Sequence, residues 1–170
     1  LHPRYEVLKR DTVKAELGKT LLQLCQAAKN AGIMLTVDAE EAERLELSLE
    51  IIHDVYVDES LKGWGGFGLA VQAYQKRAHV VVDWLILMAK SAGEPMHIRL
   101  VKGAYWDSEI KWCQERGLSD YPVFTQKAHT DLSYLVCAEK ILSASSLIYG
   151  QFATHNAYTA AFVLEMAAQK

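Results

Sequence analysis

Two cations and two aromatics crowd the run Arg99-Leu-Val-Lys102-Gly103-Ala104-Tyr105-Trp106, where an apolar, strand-like segment meets a helix. A guanidinium among core residues is costly unless it meets an anion or a polarizable ligand, so Arg99 marks a place where something is bound. In parallel α/β proteins ligands gather where strands end and helices begin, and a glycine there lets the backbone approach closely. Three other apolar segments end the same way. Asp38 follows Ile33-Met-Leu-Thr-Val37, Gln72 and Tyr74 close Gly68-Leu-Ala-Val-Gln72, and Thr154-His155-Asn156 follow Leu147-Ile-Tyr-Gly-Gln-Phe-Ala153. An amide such as Gln72 inside an apolar strand has to find partners or cost ~1–3 kcal/mol. Plainer readings stand beside these. Asp38 and Asn156 are good helix N-caps, Lys102 reads equally as a surface lysine, and His155 as a satisfied core histidine.

Those side chains need a scaffold, and the periodicity supplies one. Leu17, Leu21, Leu24 and Ala28 fall on one face of a helix over 9–30, stopped by Gly32. A strand over 33–37 leads into Asp38-Ala-Glu-Glu41, which reads as a capping box opening a helix to about residue 56. Strand 68–72, helix 76–92, strand 97–101, a short helix 107–115, helix 125–142 and strand 147–153 follow. Asn156 opens a last helix. Alternating strands and helices imply a parallel sheet with right-handed crossovers. Polar groups at every strand end suit the mouth of a (β/α)8 barrel of the TIM type. A doubly wound sheet would carry a G-x-G-x-x-G turn after a strand, and Gly63-Trp-Gly-Gly-Phe-Gly68 precedes one instead. A whole barrel takes ~250 residues, so four units in 170 residues cover roughly its central half. The expectation is one partial barrel domain over 1–170. The chain opens Leu1-His2-Pro3-Arg4 without methionine and stops at Lys170 in helical pattern, so both ends read as cut.

Composition narrows the function classes. With 51% hydrophobic and 23% charged residues and a net charge of −3, the chain is globular and lacks the basic surplus that nucleic-acid binding rests on. Cys25, Cys113 and Cys137 are odd in number and far apart, which fits reduced cytoplasmic thiols. No apolar stretch reaches the ~20 residues of a membrane span. His53, His79 and His129 lie in helical pattern without ligand-spaced partners, so no metal site is expected. Trp64, Trp84 and Trp112 read as packing residues, and Glu40-Glu41-Glu43 as a solvated helix start.

Arg99-Leu-Val-Lys-Gly-Ala-Tyr-Trp106, Thr36-Val-Asp-Ala-Glu-Glu41, Val71-Gln-Ala-Tyr-Gln75 and Phe152-Ala-Thr-His-Asn156 together resemble the proline dehydrogenase domain of bacterial proline utilization A, in order and over essentially the whole chain. The resemblance implies a distorted (β/α)8 barrel carrying FAD. It implies oxidation of L-proline to Δ1-pyrroline-5-carboxylate by hydride transfer to flavin N5, with electrons passing to membrane quinone. A separate aldehyde dehydrogenase domain in the parent chain would then complete the conversion to glutamate. Arg99 would meet the isoalloxazine near N5 and Gln72 its pyrimidine edge. Val101, Lys102, Gly103, Ala104 and Trp106 would line the cofactor, with Thr154, His155 and Asn156 on its other side and Ala39 beside the flavin. Tyr105 would pack on the proline ring, and Asp38 would orient cations that bind substrate. The family's carboxylate clamp, an arginine pair and a lysine, falls outside these residues, so this stretch alone is expected to be inactive. A cytoplasmic protein, peripheral at the inner membrane and open to homo-oligomer formation, completes the implied picture.

Two other classes remain on the residues alone. A Schiff-base lyase on the same barrel would use Lys102 as nucleophile. A non-catalytic interaction segment would offer apolar helix faces to a partner.

Overall fold

Alternation along the strands decides which side of the sheet becomes the core. Met96, Ile98 and Leu100 of strand β3 (Met96–Val101) are fully buried, as are the Phe67, Leu69 and Val71 positions of β2 (Phe67–Gln72) that match them in phase. Their partners come from helices α3 (Ala78–Ala92), with Val82, Leu85 and Met88, and α5 (Lys127–Ser143), with Tyr134, Cys137 and Ile141. Side chains of this kind each contribute about 1.5–3 kcal/mol on burial. One layer of helices against one face of the sheet therefore holds the molecule together.

The computed structural model describes residue 2 and residues 5–170; Leu1, Pro3 and Arg4 of the opening lie outside the described residues. The remaining elements are helix α1 (Arg10–Ala31), strand β1 (Leu35–Val37), helix α2 (Leu45–Tyr56), the short helix α4 (Trp106–Glu115), strand β4 (Ile148–Phe152) and helix α6 (Ala157–Ala168). All four strands are parallel and lie in the order β1-β2-β3-β4. Sequential parallel order is the winding of a barrel wall, with no point where strand order reverses. The sheet is not closed: β1 and β4 each pair on one side among the described residues.

Three local expectations change. Strand β1 is shorter than 33–37, and Ile33 and Met34 are exposed. The exit from α1 uses their backbone: Gly32, at φ 67°, donates its N–H to Lys29 O, and Ile33 N–H goes to Ala28 O at 3.0 Å. Only glycine enters this left-handed turn without strain. Leu24 faces solvent, and α1 instead buries Val13, Cys25 and Ala28. Asp38 does not cap α2, which begins only after a 3₁₀ turn at Ala42–Arg44.

Candidate active site

Opposite the helices, the inner face of the sheet is lined by small and polar residues. Strand register sets Ala70, Arg99 and Gln151 side by side, with Gln72 beside Val101 one step nearer the C-terminal ends. Gly68 is enforced at this face, because a Cβ there would sit 2.6 Å from His97 Cβ. Above these rows opens a cleft of ≈ 750 Å³. The end of β1 contributes Asp38 and Ala39 to its walls, and β2 contributes Gln72. From β3 and the loop after it come Arg99, Val101, Lys102, Gly103, Ala104 and Tyr105, and from the loop after β4 come Thr154, His155 and Asn156. Twelve of the thirteen residues expected beside the cofactor or in catalysis thus surround one space, and the thirteenth, Trp106, lines a crevice of its own.

The polar groups hold one another in place. Arg99 donates to the Asp38 carboxylate, which answers both why a guanidinium is tolerated on this face and why Asp38 is not a helix cap. An N-cap bond is worth ~1 kcal/mol, less than the cost of leaving a half-buried guanidinium without an anion. Gln72 is 4% exposed and uses both ends of its amide: Nε2 donates to Glu40 O at 2.8 Å, and Oε1 accepts from Ala104 N at 2.9 Å. It therefore ties the loop after β1 to the loop after β3 and keeps one N–H and one lone pair for a ligand. Asn156 caps α6 by accepting from Thr159 N at 3.0 Å, while Thr154 Oγ1 accepts from Asn156 N. Burial pushes the Tyr105 phenol up, and the carboxylates of Glu40, Glu41 and Asp38 add to this, so Tyr105 is a neutral wall of the cleft.

Trp106 sits one crevice away. Its indole N–H donates to Phe124 O at 2.9 Å, beside a hollow that shares Lys102, Gly103 and Lys127 with the main cleft. Sequence reasoning missed a second group on this rim. Lys102 Nζ pairs with Asp131 of α5, which also takes Lys127 Nζ at 2.6 Å, and the two ammonium groups, Lys102 first, hold the Asp131 carboxyl below its usual range. The i,i+4 spacing of Lys127 and Asp131 was visible in the sequence; that it lies over Lys102 depends on how α5 returns to the sheet. Glu40, read as a solvated helix start, also lines the cleft. Among the described residues no group of His, Cys, Asp and Glu could hold a metal ion, and no helix is long and apolar enough to cross a membrane.

Comparison with known proteins decides between the readings. A model of the family described as "Proline dehydrogenase" matches residues 2–170. The chain belongs to the proline dehydrogenase family. It is 50% identical over 169 residues to the "Bifunctional protein PutA" of Salmonella typhimurium and 48% identical over 167 residues to that of Rhizobium meliloti, covering 99% and 98% of the chain. In each case it spans 13% of the relative's length. Among solved structures, a mutant of Bradyrhizobium japonicum proline utilization A superposes with a TM-score of 0.96 at 58% identity, covering 99% of the chain and 17% of that protein. Proline utilization A from Bdellovibrio bacteriovorus, inactivated by N-propargylglycine, superposes at 0.91 with 32% identity, covering 94% and 17%. The parallel α/β wall of this chain is thus the fold of the proline dehydrogenase region of those proteins. A lyase built on Lys102 finds no support, since a Schiff-base nucleophile is a free amine and Lys102 is ion-paired to Asp131.

Proposed function

We propose that this chain forms part of an FAD-dependent proline dehydrogenase, as one partial barrel domain over residues 1–170. The observation that carries the reading is the convergence of Arg99, Gln72, Lys102 and Tyr105 on one cleft at the C-terminal strand ends of a proline dehydrogenase fold. The donor set suits a flat, anionic dinucleotide. Ala70 and Gly103 leave the floor and one wall without bulk, so a planar ring can lie close to the backbone. Lys127 and the N-terminus of α6, capped by Asn156, put positive potential on the rim, where phosphates are favoured.

Bound in this cleft, FAD would supply the two-electron acceptor for oxidation of L-proline to Δ1-pyrroline-5-carboxylate. The chain contributes position and field. Arg99, its rotamer fixed by Asp38, brings a positive charge to the inner face, where it favours an anionic, electron-rich ring. The free lone pair and N–H of Gln72 meet the polar edge of such a ring, with Val101 and Ala39 as apolar walls. Lys102, Thr154 and His155 hold the polar remainder of the dinucleotide. Tyr105 closes the space beside the reacting centre and restricts it to a small cyclic imino acid, while its neutral phenol adds no charge there. In the protein that carries this chain, electrons pass on to membrane quinone and an aldehyde dehydrogenase domain takes the product on to glutamate. The setting is cytoplasmic, with peripheral contact at the inner membrane and self-association into a homo-oligomer.

The deciding experiment is the anaerobic visible spectrum of the natural protein that carries this chain, before and after L-proline. Flavin bands should bleach, and Arg99→Met should slow the bleaching by at least about tenfold, the worth of one charge-assisted interaction. Bands that persist with proline remove the substrate assignment, and the absence of flavin bands removes the cofactor.

A further inference from the structure

Glu109 of α4 is a carboxylate that the reaction outlined above does not use, yet it is 5% exposed. An acid is rarely buried unless it is paired or hydrogen-bonded. Here it accepts the backbone N–H of Ala42 through Oε1 at 2.5 Å, across 67 residues of sequence. On the other side of the same peptide region, Arg77 at the start of α3 donates to Ala42 O at 2.6 Å and pairs with Glu46 at 2.8 Å. Ala42 is thereby gripped through its N–H by the helix after β3 and through its carbonyl by the loop after β2. Two residues earlier in the same loop, Glu40 O takes the Gln72 amide.

We infer that Glu109 is a positioning residue for the cleft: by capping Ala42 it fixes the loop that carries Asp38, Ala39 and Glu40, and so sets Asp38 against Arg99. The inference rests on the proline dehydrogenase reading for its effect on turnover, and on geometry alone for its effect on the loop. Asp38 is mostly exposed, so where its carboxylate stands to meet Arg99 depends on the backbone that bears it. Between Val37, the last residue of β1, and Ala42, that backbone has no strand or helix of its own. The bonds from Gln72 to Glu40 O, from Ala42 N–H to Glu109 and from Arg77 to Ala42 O hold it from three sides, and Glu109 supplies the one that reaches the segment from α4. A capping acceptor has no need of charge. Glutamine at this position keeps a carbonyl oxygen for the Ala42 N–H, whereas leucine fills similar space without an acceptor.

The test compares Glu109→Gln and Glu109→Leu in the natural protein that carries this chain. Hydrogen exchange of the amides over 39–44 should quicken by about tenfold or more in the leucine variant, the loss expected when a hydrogen bond to a charged group is removed. Exchange over β2 and β3 should be unchanged. Flavin release on dilution should quicken and kcat for L-proline should fall by about tenfold, while the glutamine variant stays within about threefold of the parent in all three. Equal damage in both variants would overturn the inference, because a capping acceptor would then not be what matters. So would faster exchange over 39–44 with unaltered flavin release and turnover. If the parent binds flavin but ignores L-proline, the substrate assignment fails by itself, and Glu109 is judged on exchange and flavin release.

Discussion

Gly103 sits at the tightest contact of the cleft, and replacing it with alanine tests whether the loop after β3 is held by shape. Its φ of 151° is one that L-residues rarely adopt, and a Cβ would lie 2.4 Å from the Tyr74 ring. That ring cannot step aside cheaply. Tyr74 is buried, its N–H donates to Lys102 O at 2.7 Å and its carbonyl accepts from Phe124 N at 2.8 Å. Overpacking of this kind costs ~1–3 kcal/mol, and the left-handed conformation adds ~1–2 kcal/mol for a residue with a Cβ. Gly103→Ala should therefore destabilise by about 2–5 kcal/mol, which lowers Tm by on the order of 10 °C for a domain of this size. It should also release flavin faster, since the shift moves Lys102 and breaks the Gln72 contact to Ala104. Thermal unfolding by circular dichroism, with flavin retained per chain, reads both effects. In a Tyr74→Ala background the ring is gone, and only the conformational part of the cost, about 1–2 kcal/mol, should remain. An equal loss in both backgrounds would refute the steric argument.

Other consequences follow from the same structure. Leu100→Ala, at a fully buried site on the helix-facing side of β3, should cost about 2–5 kcal/mol in denaturant unfolding without altering the flavin spectrum of the protein that remains folded. Asp131 has its folded pKa below the unfolded value, so its pairs with Lys102 and Lys127 contribute stability above pH ~4 that fades as pH falls from there through the folded value. Asp131→Asn should flatten that acid limb in a series of melts and leave the neutral-to-alkaline limb unchanged. Burial pushes the Cys25 and Cys137 thiols up to about 11. Their contribution is complete below the unfolded value near ~8.5 and is lost as pH rises from there toward about 11. At pH 8 a thiol reagent should leave both unlabelled in the native protein and react with both in urea.

The parts of this molecule that were legible in the sequence are those where one residue contradicts its surroundings. Arg99 between Ile98 and Leu100 could not be a core residue, and Gln72 after Val71 could not be left unpaired; both lie in the cleft. Strand order followed for a related reason, since alternating elements and polar strand ends fit one winding better than its rival, and the sheet runs β1-β2-β3-β4. Asp38 shows where such reading stops. Its local sequence satisfies a capping box, and the outcome turned on a guanidinium 61 residues away that competes for the same carboxylate.

Competition of that kind explains most of what stayed hidden. Gln72 with Glu40 and Ala104, Lys102 with Asp131, and Glu109 with Ala42 are pairs separated by 29 to 67 residues. None of these partners is conspicuous in its own segment: Glu109 and Asp131 look like ordinary acids on amphipathic helices, and Ala42 offers only its backbone. They acquire a role because a sequentially wound parallel sheet brings the loop after every strand to the same end, where loops with little hydrogen bonding of their own must borrow partners from each other. Polar residues that line the cleft, such as Arg99 and Gln72, are conspicuous because their chemistry is out of place in an apolar strand. Residues that hold those in position are inconspicuous, because their chemistry is fitting once the neighbouring loop has arrived.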